Sequence, residues 1–371
     1  MNCIFVHTLE LTYRGSLEKI KELTTKCKLR KINGEYKCLD YVDLGIRIKS
    51  VRCSNAGKDG KGNYMLILIV NPSRLICEGT YFNQITCNKD FYYACNVLNG
   101  FIGMILPGLS VNDMKLSRID LTRDMYNIPE HIVQQYIMIM RKMVLSRSYN
   151  LYNDLEEHTS DFRCEDSFNA VNSLGVEFVV YNKHKASADR YYPDDVIQVY
   201  EDTLRIELRC KRRLINILTK GSSTFKAMMT IFVNREEIMK DHYTSLFKYR
   251  TDLCYVSKGW QRKFIKRRFK NTSKGEKLLE IIDDMDHNDH YLDSVLYEHY
   301  HTRRARHNKL SAFNDMGFSP IPVLSDRISY MSPLDVVLGF CNYSEYTKNK
   351  CYRRIKSGKG RKKEMFIYDP E

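Results

Sequence analysis

Three segments of the 371-residue chain bring together residue types that can move a phosphoryl group. LSRIDLTRDMY (116–126) alternates, so Arg118, Asp120, Thr122 and Asp124 share one face of a strand and Ile119 and Leu121 share the other. GVEFVVYNK (175–183) places Glu177, Val179, Tyr181 and Lys183 on one face. TLRIELRCK (203–211) places Arg205, Glu207 and Arg209 on one face, with Leu204, Ile206 and Leu208 behind. If the apolar faces form the core, Asp120, Asp124, Glu177 and Glu207 converge with Tyr181, Lys183 and Arg205, facing solvent or a ligand. Several carboxylates on one sheet suit a hard cation, Mg²⁺ or Mn²⁺, which would polarise a phosphate and stabilise charge developing in a displacement. A tyrosine beside it attacks phosphorus and gives a covalent phosphotyrosine. Lys183 or Arg205 then stabilises the phenolate and holds the phosphate. A purely structural reading stays open: alternating charge on strands also forms solvated faces crossed by ion pairs, and a strand-end tyrosine also packs at a core or edge.

The elements that must position these residues read as strands with interspersed helices. Residues 3–13 form an opening strand, and SLEKIKELTTK (16–26) a short helix with Ser16 as N-cap. KDGKGN, with Gly57, Gly60 and Gly62 in or beside it, joins two strands. NYMLILIVNP (63–72) is nearly continuously apolar, as a strand buried on both faces would be, and Pro72 ends it. Residues 90–105 are helical. IPEHIVQQYIMIMRKMVLSR (128–147) has the length and period of an amphipathic helix, with Pro129 near its start. The expected fold class is α+β: an antiparallel sheet with helices on one face, followed by a mainly helical, basic C-terminal region. The expected division is 1–215 for the chemistry and 216–371 for holding DNA. No internal repeat stands out.

Composition narrows the partner. The formal charge is +14 and the pI about 9.1, which favours a polyanion, nucleic acid first. The 12 cysteines contain no CxxC pair, and no apolar stretch approaches the roughly 20 residues a membrane helix needs. The opening MNCIFVHTLELTYRG lacks the features of a signal peptide. A cytoplasmic protein with reduced thiols and no membrane contact is expected.

SRIDLTRD, followed by VVYNK and then LRIELRCKR, resembles the replication-initiation-factor family of rolling-circle plasmids, conjugative elements and filamentous phages. NPSRL (71–75) is similar to a segment of phage-type members. The resemblance covers roughly residues 60–215. It implies a sheet related to the palm-like fold of rolling-circle initiators, and nicking and rejoining of one DNA strand at an origin that is single-stranded or a melted hairpin. In that family a tyrosine keeps the 5′-phosphate and frees a 3′-hydroxyl. By position Tyr181 matches that tyrosine, Lys183 the lysine two residues on, Asp120 and Asp124 the acidic strand, and Glu207 the glutamate of an Arg-x-Glu strand. Glu177 comes from the shared face alone. Tyr191 and Tyr192, in DRYYPDD, are the competing nucleophiles. The His-hydrophobic-His metal pair of many initiators has one counterpart, His299-Tyr300-His301, far from the other motifs. A host helicase and a second copy of the chain are further partners in keeping with this reading.

DNA would be held by basic runs. KGWQRKFIKRRFK (258–270) interleaves Lys258, Arg262, Lys263, Lys266, Arg267 and Arg268 with Trp260, Phe264 and Phe269, so cations meet phosphates while aromatics stack on bases. A solvated helix with its aromatics turned inward is the alternative. TKNKCYRRIKSGKGRKK (347–363), with Arg353 and Arg354, and HTRRARHNK (301–309) add further clusters. Two rivals remain at this level: a non-catalytic DNA-binding regulator, and a metal-dependent nuclease in which water attacks.

Overall fold

The computed structural model describes residues 3–15, 22, 25, 28–32, 35–38, 40–52, 64–77, 84–151, 167–188, 194–270, 272–285, 291–323, 325, 327–341 and 364–368. The helix expected at 16–26 lies almost wholly outside these residues. So do the KDGKGN turn, Tyr191, Tyr192, Arg353 and Arg354.

Ten strands form one sheet: β1 (Phe5–Gly15), β2 (Arg30–Ile32), β3 (Glu35–Cys38), β4 (Ile46–Arg52), β5 (Tyr64–Val70), β6 (Lys115–Met125), β7 (Tyr149–Leu151), β8 (Ser167–Asn172), β9 (Val176–Asn182) and β10 (Leu204–Lys211). Their order is β2-β3-β4-β5-β1-β6-β10-β9-β8-β7, and every neighbouring pair is antiparallel. A smaller sheet holds β11 (Tyr255–Val256), β12 (Ile328–Met331) and β13 (Glu364–Phe366). Thirteen α-helices occur among the described residues: α1 (Pro72–Ile76), α2 (Asn88–Ile105), α3 (Glu130–Lys142), α4 (Lys183–Ala188), α5 (Asp194–Val199), α6 (Arg212–Thr219), α7 (Thr224–Val233), α8 (Arg235–Leu246), α9 (Lys258–Phe269), α10 (Ser273–Met285), α11 (Leu292–His299), α12 (Arg303–Met316) and α13 (Leu334–Val337). The chain is thus α+β with a large antiparallel sheet. No helix among the described residues is long and apolar enough to cross a membrane.

One face of the sheet is apolar because the period-2 pattern puts Leu9, Leu11, Leu66, Leu68, Ile119, Leu121, Phe178, Val180, Ile206 and Leu208 on it, all buried. Helices with a matching stripe cover it. In α3, Ile132, Val133, Tyr136, Ile137 and Met140 follow helical spacing and are all 0 % exposed. Phe91 of α2 stacks on Phe232 of α7, and Tyr243 of α8 meets Phe178 of β9. Arg123 falls on this apolar face and is buried. It is held by Glu236 at 2.6 Å and by the carbonyls of Leu338 and Gly339, which ties β6 to α8 and to the end of α13. The expectation of helices on one face only needs correcting, since Ala186 of α4 packs against Val179 and Tyr181 on the opposite, polar face.

The strand order is the same read from either end if β1 exchanges with β6, and β2–β5 with β7–β10. Each half is a central strand followed by a four-strand meander that returns beside it, and each meander runs directly into a helix, α1 or α6. Local sequence agrees: Leu9-Glu10-Leu11-Thr12 matches Ile119-Asp120-Leu121-Thr122, and Arg-Leu-Ile recurs at 74–76 and 213–215. No internal repeat stands out in the sequence, yet the fold carries one. The repeat lies in the topology, and too few side chains are shared for it to stand out in the sequence.

Candidate functional site

Backbone pairing fixes which polar side chains meet. Across β6, β10 and β9 the register gives three rows: Asp124–Arg205–Tyr181, Thr122–Glu207–Val179 and Asp120–Arg209–Glu177. Antiparallel partners point to the same face, so the sheet brings together every acid expected from the sequence. Local chemistry holds β9 in this register. Gly175 adopts φ +74 in the β8–β9 turn, and Oδ1 of Asn172 accepts from the backbone N–H groups of Leu174 and Val176. Lys183 departs from its expected place on the strand. β9 ends at Asn182, whose Oδ1 accepts the Lys185 N–H, and Lys183 opens α4. It still reaches the site, with its Nζ 4.6 Å from the ring centroid of Tyr200.

This polar face is not open to solvent, contrary to the expectation from alternation. Asp120, Asp124, Lys183 and Arg205 are each 1 % exposed, Glu207 3 % and Tyr181 6 %. Burial demands partners, and every oxygen of the four acids has one. Asp124 accepts from Arg205 Nε at 2.5 Å and Nη2 at 2.6 Å, and from Gln84 at 2.9 Å. Asp120 accepts from Arg118 Nε at 2.6 Å and Nη2 at 2.5 Å. Glu207 accepts from Arg209 through Oε2, and its Oε1 accepts the Tyr181 hydroxyl at 2.6 Å. Glu177, half-buried, takes Lys211 on one oxygen and Arg209 on the other. Two of these pairs are bidentate forks, the strongest geometry available to a carboxylate.

The charges set ionisation in opposite directions. Burial raises the Asp120 carboxyl to about 6; the negative charge of Glu207 adds to this, and Arg118 offsets only part of it. Burial also works against ionised Glu207, but Arg209, His7, Arg205 and the Tyr181 hydrogen bond outweigh it and hold the carboxyl far below its usual range. Burial likewise opposes the charge on Arg205, and Asp124 more than restores it.

The four acids do not offer an open donor set for Mg²⁺ or Mn²⁺, because each is already bonded by a guanidinium or ammonium group. Among the described residues no group of three or more His, Cys, Asp or Glu side chains is arranged to hold a metal ion. His299 is bonded to Asp284, away from this face. Five cations, Arg118, Lys183, Arg205, Arg209 and Lys211, stand around these four acids, and four of the five are spent on pairing them.

The other half of the sheet lacks this equipment. Thr12 pairs with Ile67 where Thr122 pairs with Glu207, and Arg14 pairs with Met65 where Asp124 pairs with Arg205. The register position of Tyr181 is occupied there by Val51. Only the Glu10/Asp120 position keeps its acid. The polar site is thus an elaboration of one half of a symmetric frame.

The basic run expected to hold DNA, 258–270, forms α9 and its C-cap. Trp260 stacks on Phe264, and both meet Phe318 edge-on, so these aromatics pack inward rather than stand free for bases. Lys258 and Arg262 pair with Asp283 of α10. Lys263, Lys266, Arg267 and Arg268 remain exposed along the outer side. Sequence reasoning missed Gln84, Tyr126, Tyr200 and His7, which complete the site from loops and from an irregular stretch of β1. No periodic signal marks such residues.

No family model, curated protein or solved structure matches this chain.

Proposed function

We propose that the chain nicks and rejoins one DNA strand through Tyr181, as a rolling-circle replication initiator or relaxase does, on a sheet related to the palm of such initiators. Residues 1–215 carry the chemistry and 216–371, with the exposed cations of α9, help to hold DNA. The observation that carries the reading is the hydrogen bond from the Tyr181 hydroxyl to Glu207, beside Arg205 and Lys183. In the step, the tyrosine oxygen bonds to phosphorus and the P–O3′ bond breaks. The phenolic proton passes to Oε1 of Glu207, already in hydrogen-bond reach. Arg205 and Lys183 stabilise charge on the phosphoryl oxygens, and the 3′-oxygen takes a proton from water and leaves as a hydroxyl. No step is assigned to a divalent cation, because the acids as arranged leave it no ligand set.

A second reading is favoured by burial: Tyr181 is 6 % exposed and the acids are fully paired, as in a DNA-binding protein whose polar core is structural. Denaturing gels of protein incubated with labelled single-stranded origin DNA separate the two. A covalent adduct lost in Tyr181→Phe supports the transesterase. Tight binding with no adduct, with or without Mn²⁺, supports the second reading.

A further inference from the structure

Where the two halves of the sheet meet, between β1, β4 and the start of α1, lies a cavity of about 150 Å³, room for about five waters. His7, Arg47, Arg74, Lys183 and Arg205 line it, and no Asp or Glu does so among the described residues. Arg205 is 1 % exposed, and its Nη1 makes no hydrogen bond, although Nε and Nη2 are spent on Asp124. A buried guanidinium N–H left without an acceptor is costly, and a bound anion would remove that cost. Arg47 is exposed at the rim, and its guanidinium has no ion-pair or hydrogen-bond partner among the described residues. Asn71 and Ser73 add short polar side chains to the wall.

We propose that this cavity binds a phosphate group, through Arg205 Nη1 at its base and Arg47 and Lys183 at its sides. Guanidinium forks match phosphate oxygens, and a cavity walled by cations without acids selects an anion over a cation. The register points to a polynucleotide as the source of that phosphate. Arg30, Lys37 and Lys49 form one row across β2, β3 and β4, on the same face as Arg47. The row continues from the cavity along the half of the sheet that has no catalytic equipment. The polynucleotide assignment rests on the proposed function; the phosphate site itself does not. In this arrangement the first half of the sheet holds the strand, and the second half performs the chemistry on it.

Two measurements on the full chain test the proposal. In the first, thermal melting is followed in inorganic phosphate and in chloride at matched ionic strength, for wild type and for Arg47→Ala, a rim substitution that leaves the buried pairs intact. Phosphate raises the melting temperature of wild type more than that of Arg47→Ala; an equal rise in both overturns the proposal. In the second, a labelled single-stranded oligonucleotide is titrated at several salt concentrations. Arg47→Ala lowers the slope of log affinity against log salt by about 0.7, the share of one phosphate contact on a single strand. Lys89→Ala, which removes a cation on α2, matches wild type. Inorganic phosphate competes with the oligonucleotide for wild type and less well for Arg47→Ala. A phosphate effect on melting without any competition assigns the site to free phosphate instead of a strand. Phosphate binding that persists while no tyrosine adduct forms under any condition leaves the cavity assignment standing and removes the nicking reading alone.

Discussion

The hydroxyl of Tyr181 on β9 donates to Oε1 of Glu207 on β10 at 2.6 Å, and the other Glu207 oxygen is held by Arg209. Arg209, His7 and Arg205 together with the Tyr181 hydroxyl favour the ionised carboxylate, and that phenol is a neutral donor. This pairing gives the tyrosine a proton acceptor already in place, and it makes the same contact part of the buried structure. The proposed chemistry and the stability of the fold therefore share one hydrogen bond.

Tyr181→Phe removes the donor and leaves a buried carboxylate oxygen unsatisfied. The expected loss is about 1–3 kcal/mol of folding stability, read from urea unfolding. Tyr181→Phe/Glu207→Gln loses less than the sum of the two single variants, because one contact is removed in both.

Arg205 and Asp124 form a fork in which both side chains are at most 1 % exposed. Arg205→Met leaves Asp124 buried and uncompensated, at a cost of about 3–5 kcal/mol, whereas Asp124→Leu/Arg205→Met together recover much of the loss. Arg205→Lys does not rescue, since an ammonium group cannot reproduce the two-point contact. Chemical denaturation of the four proteins checks this.

Comparison of wild type with Asp120→Asn reads the Asp120 share of the pH dependence of stability. Its carboxyl is raised from 3.8 to about 6 in the folded chain, so the folded state binds the proton more tightly than the unfolded one. The stability from this group is fully present below its unfolded value and is lost as pH rises through about 6, on the order of a few kcal/mol. Glu207 is shifted downward and acts in the opposite sense, with its contribution lost on acidification below the ordinary glutamate range. Between about pH 5 and 7 the Asp120 contribution falls; Asp335, raised by burial, acts in the same sense, and His242, lowered by burial, in the opposite one. The difference in unfolding free energy between wild type and Asp120→Asn therefore falls across that window, and a difference that stays constant contradicts this.

Without DNA, every carboxylate oxygen of Asp120, Asp124, Glu177 and Glu207 already has a partner, so these four acids offer Mn²⁺ none. Addition of millimolar Mn²⁺ leaves the melting temperature of the chain unchanged, whereas a ligand that entered the folded site would raise it. A calorimetric scan with and without the ion reads this directly.

Much of the site was legible in the sequence because β6, β9 and β10 are regular. A period of two places Asp120, Asp124, Glu177, Tyr181, Arg205 and Glu207 on one face, and pairing then sets them in rows. The same pattern does not say what lies over a face. Burial of these residues follows from α4, Tyr200 and Gln84, none of which carries a periodic signal. Nor does alternation say that Arg118 and Arg209 are there to neutralise acids rather than to wait for a phosphate. The alternation continues through Lys183 although the strand ends at Asn182, because the turn into helix depends on the Asn182 side chain. In α9 the basic run was clear, but the inward turn of Trp260 and Phe264 depends on Phe318, distant in sequence. The two-fold frame left only Leu-Glu-Leu-Thr, Ile-Asp-Leu-Thr and a repeated Arg-Leu-Ile as traces, since backbone pairing tolerates almost any side chain on a half-buried face.

The central claim is that Tyr181 forms a bond to DNA phosphorus. Peptide mapping by mass spectrometry after incubation with single-stranded origin DNA and nuclease trimming tests it most directly. The account predicts a nucleotide phosphate on the peptide containing residue 181 and none in Tyr181→Phe. A nucleotide carried instead by the peptide containing Tyr191 and Tyr192, or no modified peptide from protein that binds the DNA, would contradict it.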